Sequence, residues 1–292
     1  MTEIREELTA LGHKPGGLFV TDLDGTLLRS DRTFAEADLA ALRRLGEHGV
    51  VRVLATGRSL FSFNRVGASG LPLDYLVFST GAGVAEFPSG RIVRARALGP
   101  DEVRRTCDAL QDLRLDFMVQ RPIPDTHEFA FHATGRPNPD FEQRIRLYER
   151  FAFPLAGDIA AFGPATQFVA VVPRDEAQAA LAQVRRLLPG LTVIRTTSPL
   201  DGCSTWIEVF PAGVSKGRTT AWLAESLGIA HHRTASVGND YNDLDLLEWA
   251  AQPFVTANAP ADLRERYTAV AAHDHGGVAE AAERWLKKLS SG

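Results

Sequence analysis

The chain has 292 residues, 45% of them hydrophobic and 23% charged, and a formal net charge of −4. That balance excludes a disordered, collagen-like or coiled-coil chain, and the slight acidity gives no reason to expect nucleic acid or an anionic membrane as partner. At roughly 100–200 residues per domain, the length fits one large domain or two modest ones.

The first eight residues, MTEIREEL, are acidic and polar and do not read as a secretory leader. No apolar run approaches the roughly 20 residues that a membrane span requires. Cys107 and Cys203 lie far apart without a CxxC spacing, which suits reduced thiols in a cytoplasmic protein. Residues 18–21 form a short apolar run that reads as a buried strand, and 34–49 carry Leu39, Leu42 and Leu45 at helical spacing. Val50–Ala55 and Leu76–Ser79 read as the next two strands, Thr234–Val237 and Phe254–Ala257 as two more, with a helix over Leu244–Ala251 between the last pair. Strands alternating with helices predict a parallel sheet covered on both faces, a Rossmann-like doubly wound α/β core.

The stretch between the third and fourth strands is too long for one crossover. Within it Pro100–Leu113 and Arg174–Leu188 read as helices, Phe168–Val172 and Thr205–Val209 as strands, and five prolines from Pro122 to Pro154 mark a loop-rich middle. The expected organisation is a split core, 1–82 plus 204–292, interrupted by an inserted α+β cap domain over 83–203.

Ligands of open α/β sheets bind beyond the carboxyl ends of the strands. There the chain places Asp22-Leu23-Asp24-Gly25-Thr26, then Thr56-Gly57-Arg58, then Thr80-Gly81, and finally Gly238-Asn239-Asp240-Tyr241-Asn242-Asp243. Two carboxylates two residues apart at a strand end repel one another unless they share a proton or a cation. A hard divalent ion with oxygen ligands, Mg²⁺ above all, answers that need, and Asn239, Asp240 and Asp243 offer further oxygens.

Taken in order, DLDGTLL at 22–28, Thr56 in ATGR, Lys216 in GVSKG and GNDYND at 238–243 resemble the four motifs of the haloacid dehalogenase superfamily. Ala257-Asn258-Ala259 and Gly276-Gly277-Val278-Ala279 are similar to the small-residue motifs of its Cof-type (class IIB) sugar-phosphatase branch. The resemblance implies a Mg²⁺-dependent phosphatase acting on a small phosphomonoester, a sugar phosphate, through an aspartyl-phosphate. It implies Asp22 as nucleophile, Asp24 as general acid and base, and Thr56 and Lys216 as phosphoryl-binding groups. Gly57, Arg58 and Asn242 would bind substrate. Asp22, the Asp24 backbone carbonyl and Asn239 would hold Mg²⁺, with Asp243 acting through water or on Lys216. The same resemblance admits a phosphotransferase with that nucleophile or a non-catalytic sugar-phosphate-binding protein. The expected partner is a small phosphorylated metabolite, not nucleic acid or membrane, and the protein is expected to be a monomer or homodimer.

Two positions depart from the family pattern: Asn239 stands where the fourth motif usually has Asp, and Thr80 where the branch often has Asn. Weaker features are His273-Asp274-His275, which falls in a loop before the last helix, and His231-His232, read as the end of a helix. Arg121, His127, His132 and Arg136 could meet a substrate from the cap. Trp206 and Trp222 read as core.

Overall fold

The computed structural model describes residues 15–157 and 159–289; the MTEIREEL segment lies outside the described residues. The chain divides into two compact units, one formed by 1–58, 63–94 and 215–292 and the other by 59–62 and 95–214.

In the first unit, β1 (Gly17–Asp22) is buried along its whole length and leads to α1 (Glu36–Glu47) and β2 (Val50–Ala55); α2 (Leu60–Asn64) follows, its first residues counted with the second unit. Then come β3 (Tyr75–Phe78), β4 (Gly83–Glu86) and β5 (Ile92–Ala95). β1 pairs in parallel with β2, and β2 with β3, while β4 turns back antiparallel. β3 ends one residue earlier than its apolar run suggests, because Ser79 and Thr80 take positive φ values of 47° and 55°.

The second unit follows with α3 (Pro100–Asp112), β6 (Asp116–Gln120), β7 (Phe129–His132), α4 (Pro139–Leu147), β8 (Ala152–Pro154), β9 (Gln167–Val172), α5 (Ala177–Leu187), β10 (Thr192–Thr197) and β11 (Thr205–Phe210). The chain then returns to the first unit with α6 (Lys216–Ser226), β12 (Thr234–Gly238), α7 (Leu244–Trp249), β13 (Gln252–Thr256), α8 (Ala261–Arg266), β14 (Thr268–Val270) and α9 (Gly277–Leu289).

The large sheet has the order β14-β13-β12-β1-β2-β3-β4-β5. Strand succession runs outward from β1 through β2 and β3 on one side and through β12, β13 and β14 on the other. The carboxyl ends of β1, β2 and β12 therefore meet at the point where strand order reverses, the place where such sheets bind ligands. Leu18, Val20, Val53 and Val77 join Leu223, Leu227 and Leu246 from α6 and α7 in one core cluster. On the other face Phe19 lies 5.9 Å from Trp285 of α9, which packs with α1. Helices thus cover both faces, as the apolar runs predict.

The second unit is a six-stranded sheet in the order β10-β11-β9-β6-β7-β8. Alternate residues of β6 and β9 enter different clusters. Phe117, Val119 and Phe168 pack with Val103 and Leu110 of α3 and Val184 of α5, whereas Met118, Val169 and Val171 pack with Phe141 of α4 and with Tyr148 and Trp206. The proline-rich middle is more ordered than its composition suggests. Pro139 occupies the first turn of α4, where its missing N–H breaks no helical bond. Asn138 caps that helix by accepting from Phe141 N at 3.3 Å, and its amide donates to Asp116 Oδ2 at 2.9 Å and to the Val171 carbonyl at 3.0 Å.

The expected boundaries at 83 and 203 shift to 95 and 214. β4 and β5 extend the large sheet, and β11 is a central strand of the small one. Among the described residues, no helix is long and apolar enough to cross a membrane. Both cysteines are free thiols.

Asn138→Ala removes a cap and two buried hydrogen bonds together. It is expected to lower stability by about 2 kcal/mol, read from the shift of the urea unfolding midpoint. A loss below about 0.5 kcal/mol would show that solvent replaces these bonds.

Candidate active site

Lys216 opens α6 behind Ser215, whose hydroxyl accepts from Arg218 N at 3.3 Å as an N-cap. The lysine side chain is fully buried. Its Nζ donates to Asp22 Oδ1 at 2.6 Å and to Asp243 Oδ1 at 2.7 Å. One ammonium thus bridges the end of β1 and the turn after β12, closing a separation of 194 residues in sequence.

Burial alone would lower the Lys216 pKa, but Asp22 and Asp243 outweigh it, so the pKa rises and the group stays charged. Burial pushes the Asp22 carboxyl up to about 7; Asp243 adds to the shift, Lys216 opposes it and Asp24 adds again. The cluster therefore holds more negative charge than Lys216 neutralises.

Asp243 is fully engaged. Its Oδ2 accepts from the backbone amides of Asn239 at 2.9 Å and Asp240 at 3.2 Å. Of the two expected roles, this geometry favours the one on Lys216 and takes Asp243 out of the set of direct metal ligands. The turn requires glycine at 238, because a Cβ there would lie 2.7 Å from Asp243 side-chain atoms.

Asp24 and Arg58 form the second ion pair of the site. Arg58 Nε and Nη2 donate to Asp24 Oδ2 and Oδ1 at 2.7 and 2.6 Å, a two-pronged fork. Arg58, expected to bind substrate, holds the candidate acid–base residue. Thr56 is buried at the end of β2, and its Oγ1 accepts from Arg58 N at 3.1 Å, so it shapes the turn that presents Arg58. Gly57 lies in that turn. Asn242 is half-buried in the short turn Tyr241–Asp243.

Asn239 Oδ1 accepts from Thr26 Oγ1 at 3.2 Å. Gly25 has φ 73°, and a Cβ on it would meet the Asn239 amide nitrogen at 2.4 Å, so the DxDG loop and the GND turn interlock. Asn258 steadies the same loop by donating to the Gly25 carbonyl at 2.9 Å. His273 and Asp274 meet Ser30: its hydroxyl lies 2.9 Å from His273 Nε2 and 2.8 Å from Asp274 Oδ2. Among the described residues no three His, Cys, Asp or Glu side chains converge as a metal cage. His231-His232 sits in a short turn before β12, not at a helix end.

These residues match a family model described as haloacid dehalogenase-like hydrolase over residues 19–281. The chain belongs to this family. It is 27% identical over 246 residues to the HMP-PP phosphatase of Escherichia coli, covering 83% of this chain and 85% of the relative. It is 24% identical over 274 residues to a Bacillus subtilis 5-amino-6-(5-phospho-D-ribitylamino)uracil phosphatase, covering 88% and 94%. Its fold is similar to that of a haloacid dehalogenase-superfamily phosphatase from Bacteroides thetaiotaomicron, with TM-score 0.75, 20% identity, and coverage of 94% and 97%.

In this hydrolase the buried ammonium makes Asp243 a structural necessity. Asp243→Asn removes half of the countercharge and turns an amide N–H towards either the two backbone donors or the Lys216 ammonium. It is expected to lower stability by about 3 kcal/mol in denaturant titration; a loss under about 1 kcal/mol would show that Asp22 alone suffices for Lys216.

Proposed function

We propose that this hydrolase is a Mg²⁺-dependent phosphatase that cleaves a small phosphomonoester, a sugar phosphate, through an aspartyl-phosphate on Asp22. The observation that carries the reading is the Asp22–Lys216–Asp243 cluster. Lys216 fixes one oxygen of Asp22, and no hydrogen bond from the described residues reaches the other, Oδ2.

In the first step Oδ2 attacks phosphorus as the bond from phosphorus to the leaving oxygen breaks. Lys216 offsets charge on Asp22 and on the incoming phosphoryl group throughout. Asp24 protonates the leaving alkoxide and then takes a proton from the water that hydrolyses the acyl phosphate. To do so it must release the Arg58 fork, so Arg58 positions Asp24 between turnovers. Thr56, whose hydroxyl can donate while accepting from Arg58 N, contacts the phosphoryl oxygens.

The residues present fit Mg²⁺. The donors are oxygens only, a surplus of negative charge remains after Lys216, and Asp22 is pushed up to about 7 as a carboxyl group wanting a further cation is. Asp22, the Asp24 carbonyl and Asn239 Oδ1 would hold the ion, which supplies electrostatic stabilisation of the phosphoryl charge. Asn239 contributes a neutral oxygen where the family usually has a carboxylate, so weaker Mg²⁺ affinity is expected. The inserted unit serves as the cap that selects the leaving group. The two relatives named above, both phosphatases by name, support this class of reaction.

Asp22→Asn is expected to abolish phosphate release across a panel of sugar phosphates, nucleotides and vitamin-derived phosphates. Retained turnover would remove Asp22 as nucleophile. Asn239→Asp is expected to lower the Mg²⁺ concentration at half-maximal activity by about tenfold, with the gain smaller at pH 5 than at pH 8 because a ligand carboxylate must lose its proton to bind. An unchanged Mg²⁺ titration would mean that Asn239 is not a ligand.

A further inference from the structure

The chain grips Lys216 twice within three residues, once by its ammonium and once by its backbone. Asp243 takes the ammonium at 2.7 Å. Asp245, half-buried as the second residue of α7, takes the groups on either side of Lys216. Its Oδ2 accepts from Gly217 N at 2.8 Å, and the Ser215 hydroxyl donates to the same carboxylate.

These groups belong to the open end of α6. The first N–H groups of a helix have no acceptor within it. Ser215 Oγ accepts from Arg218 N as the cap while its proton goes to Asp245, and Gly217 N goes to Asp245 directly. An anionic side chain also suits the positive end of the helix dipole. A carboxylate from a neighbouring helix therefore satisfies both residues that flank Lys216, while Lys216 between them reaches Asp22 and Asp243.

The backbones here leave little slack. A Cβ on Gly217 would lie 2.3 Å from the Asp245 carbonyl oxygen and 2.8 Å from Leu246 N, so α6 and α7 meet main chain to main chain. Gly81, in the turn after β3, presses on the same helical turn. A Cβ there would lie 2.4 Å from the Ser215 carbonyl oxygen, and the Gly81 carbonyl accepts from Thr219 Oγ1 at 2.9 Å. The first turn of α6 is thus located by α7 and by the turn after β3, and Asp245 supplies the charged contact.

Lys216 depends on such location. A lysine ammonium sits on a flexible four-carbon stem, so its aim follows from where its Cα is held. Its bond to Asp22 Oδ1, at 2.6 Å, is short for an N–H donor and tolerates little displacement of that backbone. We propose that Asp245 is a positioning residue: by holding Ser215 and Gly217 it sets the Lys216 ammonium against Asp22, and so sets the aim of the nucleophile. The part of this that concerns turnover rests on the phosphatase reading above; the part that concerns the ammonium does not.

The test joins steady-state kinetics to NMR of the lysine ammonium groups in Asp245→Ala and Asp245→Asn. The chain has four lysines, Lys14, Lys216, Lys287 and Lys288, so protein labelled with ¹⁵N-lysine gives a sparse spectrum. The buried, doubly hydrogen-bonded ammonium of Lys216 is the one whose protons exchange slowly with water. In Asp245→Ala these protons are expected to exchange at least tenfold faster. There kcat on p-nitrophenyl phosphate is expected to fall about tenfold with KM within about twofold, the pattern of an interaction made in the transition state. Asp245→Asn keeps an acceptor for Gly217 N and is expected to return both quantities to within about threefold of wild type.

Unchanged exchange in Asp245→Ala overturns the proposal whatever the kinetics, because the ammonium is then held without Asp245. Faster exchange with unchanged kcat overturns it too, since the aim of Asp22 does not then depend on this hold. Equal losses in Asp245→Ala and Asp245→Asn do the same, because charge and not the grip on Gly217 is then what matters. If the wild type releases no phosphate, the phosphatase reading fails and the exchange rates decide alone. Faster exchange in Asp245→Ala with near wild-type exchange in Asp245→Asn then sustains the hold on the ammonium. If Asp245→Ala does not fold, Asp245→Ser, whose oxygen lies one bond closer to the backbone, replaces it in both measurements.

Discussion

A fully buried ammonium between two carboxylates is the constraint on which the catalytic unit depends. A lysine side chain in an apolar interior is strongly unfavourable unless opposite charge meets it at hydrogen-bond distance. Asp22 and Asp243 both do so, and their placement fixes much else. β1 must end at Asp22, α6 must begin at Lys216, and the turn after β12 must fold tightly enough to aim Asp243 inward. Gly238 and the two amides that hold Asp243 Oδ2 are consequences of that demand. The cluster remains short of positive charge, and that shortage is the physical opening for the proposed metal.

The second ion pair has a different character. Arg58 and Asp24 are partly exposed, with side-chain exposures of 28% and 48%, so their fork is screened by water and exchanges easily. The site thus joins a rigid member, Asp22 locked by Lys216, to a labile one. That division suits the two roles proposed for Asp22 and Asp24. A nucleophile profits from fixed aim, whereas a group that must first give and then take a proton needs freedom to change partners.

Much of this was legible in the sequence because parallel strands are apolar throughout and stop abruptly at polar residues. The runs ending at Asp22, Thr56 and Gly238 marked both the sheet and the site. What escaped has physical reasons. β4, β5 and β14 are short strands near the sheet edge, and β5 and β14 are largely exposed, so their side chains carry little periodic signal. α4 hid behind proline, since composition alone does not distinguish Pro139 in a first helical turn from a chain break. The pairing of Arg58 with Asp24 joins positions 34 apart whose side chains meet only because β1 and β2 are neighbours. Gln120 closes β6 and Gln167 opens β9, and only the register places them together.

β1 sits between β2, its near neighbour in sequence, and β12, which arrives more than two hundred residues later. During synthesis on the ribosome, Asp22 and Asp24 emerge early and remain without Lys216 and Asp243 until most of the chain has been made. The second unit, continuous but for a four-residue segment, has all its own strands available before then. The order of emergence therefore leaves the catalytic cluster until last, and a truncated product holds both aspartates but lacks the cation that orients the first of them.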